Sequence, residues 1–498
     1  MKETILFLPI LIPLGASIIH LFLWKQVLAQ RIISIISSLL AVIVTSLLFF
    51  SPEFTGILTA QAGSWIPPFG ISLVADQLTK LMLILTSFVG LSISIFSYVG
   101  IGEGRIRYGF YPSFHFLIMG LSGAFLTGDI FNLYVWFEIV IISSFVLVSL
   151  GADRVRLQAS VPYVSMNLLA SIIFLTGIGI LYGLTGSLNM ADLSIQVAKV
   201  EERSLVQITA VFFIVGFGMK SAVFPLYFWL PSSYHTPPSA ISALFGGLLT
   251  KLGIYALIRT FTLIFIPDTA ISSLLEWIAI LTLITGSLGA LIQTNLRKMF
   301  SYLIVCHIGF MIAGLSLFTD HSLIGSIYYL LHDIPAKANL FLIAGLITRM
   351  SGSTYYKDMG GIQKAYPVLS FIIALAIFSV AGIPPLSGFF PKLYLLKLSL
   401  LLSKPLALTI IFASFITLYA IARMWKEVFW KDSNTPPKMN FTTKQWVFSM
   451  IPILALLLLS LSIGFNAEFY IQLSSLISEE LLHPNLYIQA VFGKGIIQ

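Results

Sequence analysis

Apolar residues run along this chain in stretches of about 20, the length a helix needs to cross a hydrocarbon core, and short polar breaks separate them. Counting those runs predicts about fourteen membrane helices, at approximately 4–24, 31–50, 72–99, 111–128, 130–151, 160–182, 205–231, 238–260, 271–293, 299–318, 322–349, 367–402, 405–431 and 445–475. Counts of thirteen or fifteen stay open. Gly and Pro sit inside the apolar runs rather than between them, which membrane helices tolerate and soluble helices mostly do not. The opening Met1-Lys2-Glu3 resembles the start of a signal peptide, but the apolar stretch behind it reaches Trp24 without a small-residue cleavage site, so it reads as a retained first span. The longest polar connections, around 183–204 and 431–444, leave no evident soluble domain.

Composition agrees with that pattern. Of 498 residues, 58% are hydrophobic and only 10% charged, and the mean hydropathy of +0.97 excludes an ordinary soluble domain. The formal charge of +8 does not point to nucleic acid, because Lys and Arg are spread singly or in pairs with no basic block or aromatic platform. Cys306 is the single cysteine, so neither a disulfide framework nor a thiolate metal site can be built, and the 7 histidines show no ligand spacing. No metal or cofactor is expected. The run Gly100, Gly102, Gly104 reads as a turn, since no strand precedes it and no phosphate-binding helix follows.

The basic residues also set an orientation, because loops rich in Lys and Arg stay cytoplasmic. With loops numbered by the preceding helix, the odd loops hold 16 of the 28 basic residues and the opposite side 7, the latter being Lys2, Lys199, Arg203, Arg259, Lys397, Lys404 and Lys494. The remaining 5 fall within spans. This division places both termini on the outer face, and an odd number of helices would destroy it.

An ionisable group at bilayer depth is costly unless it faces a partner, a cavity or water. Lys80 stands one turn after Asp76 near the outer end of its helix, so an i,i+4 pair or a snorkelling side chain accounts for it. Lys220, Lys251, Lys337 and Lys392 lie too far inside their helices to snorkel. Glu138 on the fifth span is the candidate partner of Lys220, and since a buried pair is a poor device for stability alone, function is the better reading. His307 and His332 are either neutral hydrogen-bonded groups or proton relays, and the buried lysines in the same half favour a relay. Two spans are interrupted beside these lysines. Pro225 follows Lys220 by five residues, and Gly382, Pro384, Pro385, Gly388 and Pro391 precede Lys392. Proline removes a helical hydrogen bond and clashes with the preceding turn, and paired broken helices in the two halves of a transporter point to its ion path.

These residues carry a resemblance over nearly the whole chain. FNLYVWFEIVIISSF around Glu138, GFGMKSAVFPLYFWLPSSYHTPPSAISALFGGLLTKLGIYAL around Lys220 and Lys251, LIQTNLRKMFSYLIVCHIGFM around His307, YYLLHDIPAKANLFLIAG around His332 and Lys337, and FSVAGIPPLSGFFPKL around Lys392 resemble the antiporter-like subunits of respiratory complex I and of Mrp-type multisubunit sodium/proton antiporters, most of all the Mrp D subunit. The resemblance implies an all-α polytopic fold of fourteen spans with two inverted five-helix repeats, helices 4–8 and 9–13, each with a broken helix. It divides the chain into helices 1–3 over residues 1–110, a first repeat over 111–260, a second over 271–431, and a last helix with its tail over 445–498. It also implies a Glu138–Lys220 pair, a central Lys251 and a terminal Lys392, joined by a hydrated polar chain. The implied function is proton translocation in a cell-membrane cation/proton antiporter, beside other membrane subunits, with protons and sodium as the ions. The rival within the superfamily is a proton-pumping subunit of a complex I-type NADH:quinone oxidoreductase or membrane hydrogenase. A lipid-modifying enzyme would need a catalytic acid, metal cluster or phosphate site at the interface, and the sequence shows none. A pure scaffold would tolerate apolar replacement of every buried lysine.

Overall fold

The computed structural model describes residues 3–151, 153–432, 437 and 441–493. Lys2, Lys438, Lys494 and half of the 431–444 connection lie outside the described residues. The chain is overwhelmingly helical. It opens with α1 (Leu8–Phe22) and α2 (Val27–Phe50), continues through a short hairpin of β1 (Leu58–Gln61) and β2 (Ser72–Ala75), and enters α3 (Gln77–Gly100) and α4 (Glu103–Arg107). The hairpin is antiparallel, with Leu58 opposite Ala75, so residues 72–75 are strand where the hydropathy pattern puts the start of a helix. Gly100 closes α3, and Gly102 leads into the five-residue α4.

Next come α5 (Phe110–Leu126), α6 (Ile130–Ser149), α7 (Arg154–Thr185), α8 (Met190–Lys199), α9 (Arg203–Ser221), α10 (Trp229–Ser233), α11 (Ser239–Leu244) and α12 (Thr250–Leu263). The second half holds α13 (Thr269–Leu291), α14 (Leu296–Leu317), α15 (Asp320–Ser351), α16 (Ile362–Ala365), α17 (Pro367–Ala381), α18 (Phe389–Leu402) and α19 (Lys404–Trp425). The chain ends with α20 (Thr443–Phe465), α21 (Ala467–Leu482) and α22 (Pro484–Phe492). Among the described residues 12 helices are individually long and apolar enough to cross a membrane, or up to 13 if a bent pair is one span. The fourth expected span is the shorter α5, and the twelfth is split into α17 and α18, so the fourteen-span pattern is compatible with the structure. The protein is a multi-pass membrane protein.

Side chains that satisfy free backbone N–H groups fix where many helices begin. Asp129 accepts from Asn132 N (2.7 Å) to start α6, and Asp268 accepts from Ile271 N (2.8 Å) to start α13. Thr319 and Ser322 form a reciprocal cap on α15. The two expected repeats carry matching local pairings: Asp129 bridges Asn189 in the first and Asn295 bridges Tyr355 in the second.

Burial is uneven, and the unevenness locates the chemistry. The most apolar window of α2 is 33% buried, its remaining surface being the apolar face a lipid-exposed helix presents, whereas that of the continuous α11–α12 span is 100% buried and that of α15 94%. The most enclosed helices are therefore those that carry Lys251, His332 and Lys337. Close approach at the centre depends on small residues: a Cβ on Gly253 of α12 would come within 2.9 Å of the Phe217 carbonyl of α9.

Two basic residues sit differently from the sequence expectation. Lys80 does not pair with Asp76; its Nζ donates to the carbonyls of Phe54 and Gly56, both at 2.6 Å, in the connection after α2. Asp76 instead binds Arg259, with contacts of 2.6 and 2.8 Å. Arg259, counted above with the outer loops, is thus buried inside α12 and ties it to the start of α3.

Candidate functional site

Lys220 is the penultimate residue of α9, so the helix ends at once after it rather than at Pro225. The terminating residue is Ala222, in the left-handed conformation at φ 62°, a backbone state that costs free energy in a residue with a Cβ and is found at functional sites. The Lys220 ammonium donates to Ser171 Oγ at 3.0 Å and stands 4.5 Å from the centre of the Phe137 ring, a cation–π arrangement. Glu138 follows Phe137 on α6 and lies within electrostatic reach of Lys220. No ion pair joins the two among the described residues, and the enclosed Glu138 Oε1 has no hydrogen-bond partner. The direct contacts of the lysine are thus Ser171 and Phe137, and the expected Glu138–Lys220 contact is not formed. A cavity of about 20 Å³ lies between Lys220 and α12, lined by Tyr163, Asn167, Tyr234, Leu249 and Leu252. That is room for one water molecule.

At the centre, residues Phe245–Leu249 form one turn of wider π-helix immediately before Lys251. Such bulges displace the regular hydrogen-bond ladder and recur at functional sites. Here the Gly246 carbonyl accepts from Lys251 Nζ at 2.7 Å. The other partner of Lys251 is Asp333 of α15: Nζ lies 2.6 Å from Oδ2, with both side chains wholly buried. The second carboxylate oxygen takes His307 Nδ1 at 2.6 Å and stands 3.7 Å from Lys337 Nζ. One carboxylate thus joins Lys251, from residues 111–260, to His307 and Lys337, from residues 271–431.

Beyond this hub, His332 Nδ1 is 2.8 Å from Ser387 Oγ, which is 2.6 Å from Ser379 Oγ. Ser379 lies in the last turn of α17 and Ser387 in the connection that leads to α18. α17 terminates on Gly382 at φ 83°, where glycine carries no steric penalty, and its last carbonyls are left without helical donors. Lys392, in the first turn of α18, supplies the donor: Nζ reaches Ala381 O at 2.9 Å and Val380 O at 3.4 Å, and lies 5.3 Å from the Phe310 ring centre. Pro384 and Pro385 occupy the turn between the two helices, as the sequence suggests, and Pro225 lies in the corresponding turn after α9. Gly388 packs so tightly that an added Cβ would collide with the Ser379 carbonyl and lie 3.0 Å from His332 Nε2. Gly388→Ala is accordingly expected to destabilise the protein by roughly 1–3 kcal/mol, read as a drop in the thermal midpoint. An unchanged midpoint would contradict this packing.

The structure brings Lys251, His307 and Lys337 into one cluster around Asp333, with His332 beside it and Lys392 within electrostatic reach of Asp333, while Lys220 stands apart with Ser171 and Phe137. Sequence reasoning missed Asp333, Ser171, Ser379 and Ser387. Asp333 carried a usable signal, an acid in the middle of a long apolar run and four residues before Lys337. His307, His332 and Asp333 are close enough together to hold a metal ion, but Asp333 is already engaged by two ammonium groups, whose charge opposes a cation at the same oxygens.

Helices broken at mid-chain, with ionisable groups gathered in the bundle interior, define a polytopic membrane protein of the broken-helix transporter class. Residues 127–417 match the family model described as NADH:quinone oxidoreductase/Mrp antiporter, TM, and the chain belongs to that family. It is 40% identical over 491 residues to the D subunit of the Na(+)/H(+) antiporter of Bacillus subtilis (strain 168), covering 98% of this chain and 99% of that protein. The protein of the same name from Alkalihalophilus pseudofirmus is also 40% identical, over 492 residues. Among solved structures, a chain of the Mrp complex from Dietzia sp. DQ12-45-1b superposes with a TM-score of 0.90 at 26% identity, covering 99% of each chain.

Proposed function

We propose that this chain is the proton-translocating D-type membrane component of a multisubunit sodium/proton antiporter, a transporter component rather than an enzyme, working in the cell membrane beside other membrane subunits. The observation that carries this reading is the Asp333 carboxylate, wholly buried and shared by Lys251, His307 and Lys337 across the two halves of the chain. A group that faces three proton-bearing partners can pass charge among them by small shifts of hydrogen bonds, without opening the bundle. Protons enter at Glu138 and Lys220, cross the small cavity to Lys251, and pass through Asp333, His307 and Lys337. They continue by way of His332, Ser387 and Ser379 to Lys392. The breaks after α9 and α17 control access at the two ends, and the repeats at 111–260 and 271–431 are the two half-channels. The relatives at 40% identity bear the name of this antiporter component, which supports sodium as the exchanged cation.

Everted vesicles that carry the complete set of subunits test the reading. Added sodium should collapse a preformed proton gradient, and omission of this chain should abolish the response. Co-purification of flavin or iron–sulfur subunits in place of small membrane subunits would instead favour a redox-driven complex. The orientation is tested separately. A reporter fused after the last residue should be active outside the cell and one inserted within 431–444 active in the cytoplasm; the reverse pattern would overturn the proposed topology.

A further inference from the structure

On the face where the odd-numbered connections end, a pocket of about 270 Å³ opens between helices and is lined by Arg105, Arg156, Arg297 and Arg349. No carboxylate lines it among the described residues. Arg105 and Arg156 are crowded together, for a Cβ on Gly151 would sit 3.2 Å from Arg105 Nε and 3.2 Å from Arg156 Nη1. Arg156 has one acidic neighbour, Asp153 at 3.2 Å, whose side chain is 49% exposed. Arg297 is held in place by the Pro237 carbonyl (3.1 Å) and Ser239 Oγ (2.7 Å). Its Nε, like that of Arg105, is enclosed without a hydrogen-bond partner. Arg349 donates to Gln445 at 3.1 Å and lies 4.5 Å from the Phe441 ring centre. Burial first, and Arg156 second, pull the Arg105 guanidinium below its ordinary range, with Asp153 opposing.

Four guanidinium groups brought around one pocket repel each other, and the repulsion is relieved by an anion that can accept from several of them. Guanidinium forks match phosphate oxygens better than a spherical anion. Basic pockets between membrane helices on the cytoplasmic side suit phospholipid headgroups, and the apolar rim here, with Phe96, Val99 and Leu346, offers a path for acyl chains. We propose that this pocket is a binding site for a phosphate-bearing anion, held by Arg105, Arg156, Arg297 and Arg349.

The chain is purified in mild detergent with the subunits that accompany it, as wild type and as an Arg105→Gln/Arg297→Gln variant. Phospholipid phosphorus per chain is then measured after washing, and binding of inorganic phosphate is measured after delipidation. Loss of the charge-assisted contacts should weaken binding about tenfold or more. If the source is a headgroup, wild type retains phosphatidylglycerol or another anionic phospholipid through washing and the variant loses it. If the source is soluble, wild type retains no lipid at the site but binds inorganic phosphate saturably, and the variant binds it about tenfold more weakly. Equal lipid retention together with equal phosphate binding in an assembled variant would overturn the proposal. Should the double variant fail to assemble, Arg349→Gln, at an exposed position, is read the same way, with a loss of about twofold or more expected and no loss in either assay overturning the site.

Discussion

Replacing Asp333 with asparagine is expected to reduce sodium-dependent proton exchange by on the order of a hundredfold or more while the protein still assembles. The side chain is wholly buried, with Lys251 and His307 each at 2.6 Å and Lys337 at 3.7 Å. Asparagine keeps the shape and one acceptor but removes the only carboxylate in contact with these groups among the described residues. Loss of the shared carboxylate removes the group through which charge passes between these partners, and a hundredfold slowing of that step corresponds to roughly 2.7 kcal/mol of added barrier. Asp333→Glu keeps the charge and should retain a measurable part of the exchange. Rates come from everted vesicles, and assembly from co-purification of the partner subunits. An assembled Asp333→Asn variant with wild-type exchange would remove the hub from the mechanism.

At the proposed entrance, Lys220→Met should lower exchange by about tenfold or more, since methionine keeps the apolar stem and loses the proton-bearing group. Two contacts hold that group, Ser171 Oγ at 3.0 Å and the Phe137 ring at 4.5 Å, with Glu138 next along α6. Glu138→Gln should reduce exchange less than Lys220→Met does, because the carboxylate biases the lysine without touching it. The double variant should be little worse than Lys220→Met alone, since both changes act on one step. Strictly additive losses in assembled protein would show that the two residues serve separate steps.

Much of this arrangement is legible in the sequence because membrane burial is so unforgiving. Lys220, Lys251, Lys337 and Lys392 stand out as charges in apolar runs, and the cost of placing them there leaves few readings. Asp333 is just as conspicuous by that measure, but Lys337 four residues on offers a local neutralising partner, so the sequence alone does not reveal that the same carboxylate also takes Lys251 and His307. The wide turn before Lys251 has no signature in Phe245-Gly246-Gly247-Leu248-Leu249, which simply continues an apolar helix. It arises from packing, with Gly247 pressed close to the Ile334 carbonyl of α15. The end of α9 is hidden for a related reason. Proline signals a break at Pro225, whereas the helix stops at Ser221 through the left-handed Ala222, a conformation that no residue preference announces. Lys80 and Arg259 show the limit of reading charges by position along a span: each lies near a helix end, and only the tertiary fold decides that Arg259 takes Asp76 while Lys80 reaches backbone carbonyls.

The central claim is that protons traverse this chain from Lys220 to Lys392, and the far terminus is its most exposed point. Lys392 is held by the free carbonyls of Val380 and Ala381, where methionine can replace the stem without leaving a charge behind. The decisive measurement is proton flux driven by an imposed sodium gradient in proteoliposomes that contain the fully assembled complex with Lys392→Met. A continuous path through Lys392 predicts no flux above that of protein-free liposomes; flux at the wild-type rate would contradict it.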